Sequence, residues 1–191
     1  MREVTPGQHS WSTSIFESHY NIACVLRALA LIQKRWPDAL LTVAGDGLSA
    51  SNCGNSRETS RFATFASSVA YLRSTCRPSL YDEHDVWLNG SDVDNMPTSI
   101  LEAYACGLAV ASTNPGGIPY IVEDGRTGRL VQCGDAEALA EAALAVIESP
   151  PLFGDLTRNA LAECVKYTWK SVQPSWMRLY SELAPSDTLL L

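Results

Sequence analysis

An α/β fold is predicted: a Rossmann-like doubly wound parallel sheet with helices on both faces and extra C-terminal helices. Three features of the sequence point to it. Short apolar, β-branched runs alternate with longer segments of helical periodicity, the pattern of strands joined by crossover helices. Two of the runs end in glycine-rich or acidic turns, where such sheets place their ligand-binding loops. The last part of the chain is helical in pattern, with neither an internal repeat nor a linker long enough to separate two domains.

The elements follow in order. Residues 1–19 are polar and lack an apolar run, so they read as a disordered N-terminal segment or the remnant of a first strand. Residues 20–36 read as a helix, with Ile22, Val25, Leu26, Leu29 and Ile32 at helical spacing and Pro37 as its stop. Residues 39–44, ALLTVA, are a buried strand running into the turn Gly45-Asp46-Gly47. Residues 62–69 suggest another strand, 77–83 a short helix and 85–89 a strand. A helix is expected over 97–106, with Pro97 in its first turn and Gly107 past its end. A strand at 108–112, a short helix at 117–122 and a strand at 127–131 come next. The alanine-rich segment 136–148 is an amphipathic helix opened by Asp135. Pro150-Pro151 breaks the chain before helices at about 152–166 and 168–183. The domain is therefore 20–183, followed by a tail at 184–191.

Composition narrows the function. The chain has 191 residues and a net charge of −7, with a pI near 4.9. A nucleic-acid partner is not expected, because such surfaces need a concentrated basic face. A phosphorylated ligand remains compatible, since helix N-termini and backbone N–H groups hold phosphate without net positive charge. No apolar stretch approaches the roughly 18 residues of a spanning helix, and no leader pattern opens the sequence. These features predict a cytoplasmic protein, either free or peripheral to a membrane, with no integral membrane segment. None of the six cysteines falls in a C-x-x-C pair, so zinc-site spacing is missing. Cys24, Cys106 and Cys164 fit apolar helical patterns and read as small core residues. His9, His19 and His84 are isolated and read as surface or structural residues.

The chemistry concentrates in residues 89–107, NGSDVDNMPTSILEAYACG. A buried strand ends near Asn89, a short acidic loop follows, and a helix opens near Pro97. The free N–H groups of Met96, Thr98, Ser99 and Ile100 would form an anion site. Asp94 stands before the helix, and Glu102 follows eight residues later. A carboxylate accepts two hydroxyl hydrogen bonds in a fork, which suits the vicinal diols of ribose or a sugar. Asp92-Val93-Asp94 also reads as Asp-x-Asp, which could share a divalent ion.

This segment resembles the donor-site motif of the group-one, glycogen-synthase-like retaining glycosyltransferases. Leu101-Glu102-Ala103-Tyr104-Ala105-Cys106-Gly107 is similar to the family's Leu-Glu-Ala run, and Ala109-Val110-Ala111 to the strand after it. Gly116-Gly117-Ile118-Pro119, then Glu123-Asp124-Gly125-Arg126-Thr127-Gly128, resemble its next two blocks. Val43-Ala44-Gly45-Asp46-Gly47 resembles its strand and Gly-rich turn, and Tyr167-Thr168-Trp169 its C-terminal aromatic box. The resemblance covers about 20–183.

The resemblance implies a fold of two facing Rossmann-like domains and a nucleotide-diphosphate sugar as substrate, with no cofactor and no metal. It implies that Glu102 holds ribose hydroxyls and that Asp94 contacts and orients the transferred sugar. Asn95, Met96, Pro97, Thr98 and Ser99 would face the diphosphate. Residues 64–69, ending at Val69, would touch the base. Gly45, Gly47, Gly116 and Gly117 would line the site.

Three departures accompany the resemblance. It starts almost at the first residue, so an N-terminal acceptor-binding domain is expected on another chain. The family's Arg and Lys clamp would fall in residues 10–21, SWSTSIFESHYN, which hold neither residue type. Residues 49–75 align poorly, and Tyr120 stands where Glu is common. A donor-binding half-enzyme is thus expected, with a non-catalytic nucleotide-sugar-binding module or a degraded fragment as the alternative. A sugar-nucleotide epimerase would need catalytic acids that the sequence does not display. The base, the donor sugar and the acceptor are not specified by these residues.

Overall fold

The computed structural model describes residues 10–14, 20–44, 65–69 and 81–183. In chain order these form β1 (Ser10–Ser14), α1 (Ile22–Ile32), β2 (Leu40–Ala44), β3 (Phe65–Val69), β4 (Val86–Asn89), α2 (Thr98–Ala105), β5 (Ala109–Thr113), β6 (Arg129–Val131), α3 (Ala136–Ile147), α4 (Pro150–Cys164) and α5 (Trp169–Leu183). Short 3-10 turns lie at Ile118–Tyr120 and Val165–Tyr167.

The six strands make one parallel sheet in the order β3-β2-β1-β4-β5-β6. Winding reverses between β1 and β4, so the switch point where such sheets open a crevice lies there. β1 arises in a segment with no apolar run. It pairs residue for residue with β2, from Ser10 opposite Leu40 to Ser14 opposite Ala44, and on its other edge with β4 at Trp11 and Ser12. Two backbone ladders hold it, a contribution that side-chain patterning does not record.

Alternation along the central strands divides the core into two layers. Leu41, Val43, Val86, Leu88, Ala109 and Ala111 pack with α1 and α3 on one face. Trp87 and Val110 point the other way and pack with Ile100, Ala103 and Tyr104 of α2 and with Ile118, Ile121 and Val122. β4 and β5 are buried along their whole length, as strands covered on both faces must be.

The helices mostly begin and end where local chemistry directs. Asp135 caps α3 by accepting from the Ala138 N–H at 2.8 Å. Gly107 takes φ +77° directly after α2, a conformation that suits glycine. α1 stops at Ile32 rather than running to Trp36, and residues 33–35 close as turns. Pro150 and Pro151 do not break the chain before α4 but open it, behind a Ser149 cap. First-turn N–H groups have no intrahelical partner, so proline costs nothing there. α5 contains Pro174 and buries none of its residues.

Among the described residues Cys24 is buried, Cys106 and Cys164 are half-buried and Cys133 is exposed, all as free thiols. Cys53 and Cys76, with His9 and His19, lie outside the described residues. His84 is buried. No described helix is long and apolar enough to cross a membrane.

Candidate functional site

The carboxyl ends of β4 and β5 are tied by buried side chains. Asn89 donates through Nδ2 to Ser112 Oγ at 3.0 Å and accepts at Oδ1 from Ser91 Oγ at 2.7 Å. Ser112 Oγ donates to the Thr113 carbonyl at 2.7 Å, and Thr113 Oγ1 to the Ser91 carbonyl at 2.6 Å. Each of these buried groups is partnered, so the network forms a rigid floor beneath the loop after β4.

Gly116 and Gly117 press on that loop from the β5 side. The Gly117 N–H donates to the Asp94 carbonyl at 3.0 Å. A Cβ on Gly116, whose φ is +51°, would stand 2.2 Å from the Asp94 carbonyl oxygen. One on Gly117 would stand 1.9 Å from that of Asn95. Neither position admits a side chain without moving backbone, so the glycine pair fixes the height and path of the Asp94–Asn95 peptide.

Two helices open onto this end of the sheet, and their starts differ. At α1, Asn21 adopts φ +43° and accepts the Cys24 N–H at 3.2 Å through its side chain. Its Nδ2 donates to both carboxylate oxygens of Asp92, at 3.1 and 3.0 Å. Gly90 lies flush beneath, where a Cβ would come within 3.0 Å of the Asn21 carbonyl oxygen. At α2, Pro97 occupies the cap position, no side chain caps the helix and its first turn holds no acidic residue. The Ile100 N–H expected to be free donates to the Pro97 carbonyl at 3.1 Å, so the Thr98 and Ser99 amides carry the positive end of the helix dipole with no side chain of this helix set against it. Asp92 is held by Asn21. Among the described residues no three His, Cys, Asp or Glu side chains gather as a metal site requires.

Glu102 sits in the second turn of α2 and is half-buried. Its Oε2 accepts from the Tyr81 hydroxyl at 2.8 Å. Tyr81 is itself buried, with its ring 5.4 Å from that of Trp87. On the core side of α2, Tyr104 donates to Thr127 Oγ1 at 3.2 Å, and that oxygen accepts the Glu123 N–H at 2.8 Å. Burial pushes the Tyr104 hydroxyl well above the ordinary tyrosine value, against the opposing effect of its Thr127 hydrogen bond. Tyr104 is thus a neutral strut between α2 and the block at 123–128, not a proton carrier.

Of the residues expected to bind ligand, Asp94 is half-buried on the loop, Asn95, Met96 and Thr98 are exposed, Ser99 is half-buried and Pro97 is buried. Asp94 and Asn95 meet Gly116 and Gly117 directly. Val69 ends β3, opposite Ala44 in the neighbouring strand. Gly45 and Gly47 lie outside the described residues. Sequence reasoning passed over Asn21 and Tyr81. An Asn just before the first apolar-periodic residue is a helix-start signal, so Asn21 was recoverable. Nothing in the spacing links Tyr81 to Glu102, 21 residues away.

The strand order and the switch-point loop define a Rossmann-type doubly wound architecture. The chain belongs to the glycosyl transferases group 1 family, whose family model matches residues 12–149. It is 29% identical over 171 residues to a D-inositol 3-phosphate glycosyltransferase of Corynebacterium jeikeium, covering 85% of this chain and 40% of that protein. It thus spans about two fifths of the length of that relative. Anabaena HepE, crystallised with UDP, superposes with a TM-score of 0.83 at 19% identity, over 93% of this chain and 50% of that one. The C-terminal domain of a group 1 glycosyl transferase (LpcC) from Francisella tularensis superposes with a TM-score of 0.70 at 19% identity, over 83% of this chain and 85% of that domain. Both likenesses bear out the Rossmann-like fold of the GT-B glycosyltransferases.

Proposed function

We propose that this chain supplies the donor site of a retaining glycosyltransferase and binds a nucleotide-diphosphate sugar in the crevice between β1 and β4. The observation that carries the reading is the uncapped start of α2, lying between Asp94 and Glu102 and braced by Gly116 and Gly117. The diphosphate sits against the Thr98 and Ser99 amides. Glu102 accepts from the ribose hydroxyls, and Asp94 from hydroxyls of the transferred sugar. In transfer, the bond from the anomeric carbon to the diphosphate oxygen breaks, one to the acceptor hydroxyl's oxygen forms on the same face, and the hydroxyl's proton leaves with the diphosphate. The helix start stabilises the charge that accumulates on the departing diphosphate. The UDP bound in the Anabaena relative and the shared family support this reading.

Acceptor binding belongs to a second domain, on this chain's longer form or on another chain. The apolar stripe of α5 supports such a partner. Trp169, Trp176, Leu179, Tyr180 and Leu183 recur at helical spacing and are all exposed. A cytoplasmic or membrane-peripheral setting fits this use. A second reading, a non-catalytic nucleotide-sugar-binding module, draws on one observation: residues 10–21 contain no Lys or Arg to hold the leaving diphosphate.

Calorimetry with UDP and a UDP-sugar panel tests the donor reading. Glu102→Ala weakens free nucleotide and nucleotide sugar alike, because ribose is common to both, whereas Asp94→Ala weakens mainly the sugar-bearing donor. Equal losses on UDP for both variants would show the roles to be wrongly assigned. No binding at millimolar ligand by folded protein would defeat the reading.

A further inference from the structure

Glu102 does not stand alone in the second turn of α2. The Tyr81 hydroxyl donates to its Oε2 at 2.8 Å from a side chain that packing holds in place. Tyr81 is only 6% exposed, it lies on a helical segment that ends at Asp82, a few residues ahead of β4, and its ring lies tilted at 46° against the buried Trp87. Trp87 is fixed in turn by its place on β4, paired with Val110 of β5. The hydroxyl is therefore presented from the core by two rings with no freedom to follow the carboxylate. The carboxylate must instead come to it. A glutamate on a helix flank has three rotatable bonds, and holding one of its oxygens selects a single arrangement of the group. A carboxylate oxygen accepts more than one hydrogen bond, so this contact restrains the group and is compatible with a further donor.

We propose that Tyr81 is a positioning residue that presets the Glu102 carboxylate for the ribose diol of the donor. The inference rests on the donor reading above and adds a residue from outside the 89–107 segment. Tyr81 touches no ligand in this account. It acts by removing an ordering cost that binding would otherwise carry, so its effect appears only with ligands that present the diol.

The test compares UDP with 2′,3′-dideoxy-UDP on the intact chain, by calorimetry or ligand-detected NMR. Tyr81→Phe keeps the ring packed on Trp87, and a thermal melt checks that it folds. The wild-type chain prefers UDP, and Glu102→Ala abolishes that preference. Tyr81→Phe reduces it by about threefold to tenfold, the range of one ordinary hydrogen bond. Introduced into Glu102→Ala, Tyr81→Phe changes the preference no further. A preference within twofold of wild type in folded Tyr81→Phe, with Glu102→Ala still abolishing it, overturns the inference and leaves the donor reading intact. A wild-type chain with no preference for the ribose form overturns the donor reading and the inference together.

Discussion

Two helices begin at the switch point, one after β1 and one after β4, and they are finished differently. The start of α1 is closed: Asn21 satisfies the Cys24 amide and ties the Asp92 carboxylate alongside. The start of α2 has a proline at the cap and no side-chain acceptor. A capping side chain stabilises a helix by about 1 kcal/mol, so leaving α2 without one forgoes stability. A negative group beside α1 also repels an incoming anion, whereas nothing acidic lies in the first turn of α2. On the proposed reading, the difference favours α2 as the place for the diphosphate. It also bears on the missing basic pair of residues 10–21: on the α1 side, the structure builds a closed joint between α1 and the loop after β4.

The largest effect should come from the brace. Gly117→Ala forces a Cβ against the Asn95 carbonyl, and overpacking of this kind costs about 1–3 kcal/mol. For a chain of this size, thermal melts should show a Tm lower by roughly 2–10 °C, with UDP binding weakened as the Asp94–Asn95 peptide shifts. An unchanged Tm would mean that the two loops do not meet as described.

Next comes the open helix start. Thr98→Asp places a carboxylate in the first turn of α2, where Thr98 is exposed. It should leave Tm unchanged or raise it slightly, since an acid there is favourable by about 0.3–1 kcal/mol. UDP affinity should nevertheless fall about tenfold, equivalent to about 1.4 kcal/mol. Stability and binding moving in opposite directions is the signature of an unfilled anion site; equal UDP affinity in wild type and variant would contradict it.

The closed start should respond the other way. Asn21→Gly keeps the left-handed backbone but removes the cap and the Asp92 contacts. A loss of a few tenths of a kcal/mol is expected, read as a small drop in urea midpoint, with UDP affinity within twofold of wild type. A tenfold loss of UDP affinity would move the ligand to α1. The smallest effect is none: with amides rather than an ion holding the phosphate in the proposed site, EDTA should leave UDP affinity unchanged. A strong Mn²⁺ requirement abolished by Asp92→Asn would restore the Asp-x-Asp reading.

Much of this was legible in the sequence, for identifiable reasons. β4, α2, β5 and α3 were placed within a residue or two. Their apolar patterns are dense, and glycine or a capping acid marks several of their ends, as at Gly107 and Asp135. β1 was legible only as one of two alternatives, a remnant strand or a disordered segment, because Ser10–Ser14 is held by backbone ladders on both edges rather than by an apolar pattern. The role of Pro150-Pro151 was misjudged, since the same dipeptide can stop one helix or start the next, and only the Ser149 cap decides. Within the candidate site, Asp94 and Glu102 stood out by their spacing. The contact of Gly116 and Gly117 with the Asp94 loop, the Asn21–Asp92 joint and the Tyr81–Glu102 bond are all long-range. Each joins residues from separate elements, and nothing local in the sequence encodes such a meeting.

Amide shifts measured during a UDP titration distinguish ligand phosphate at α2 from ligand phosphate at α1. With phosphate at α2, the largest shifts fall at Thr98, Ser99 and Glu102 and at Gly116 and Gly117, with Ala23 and Cys24 nearly still. Shifts centred on Ala23 and Cys24, with α2 unmoved, would contradict that placement.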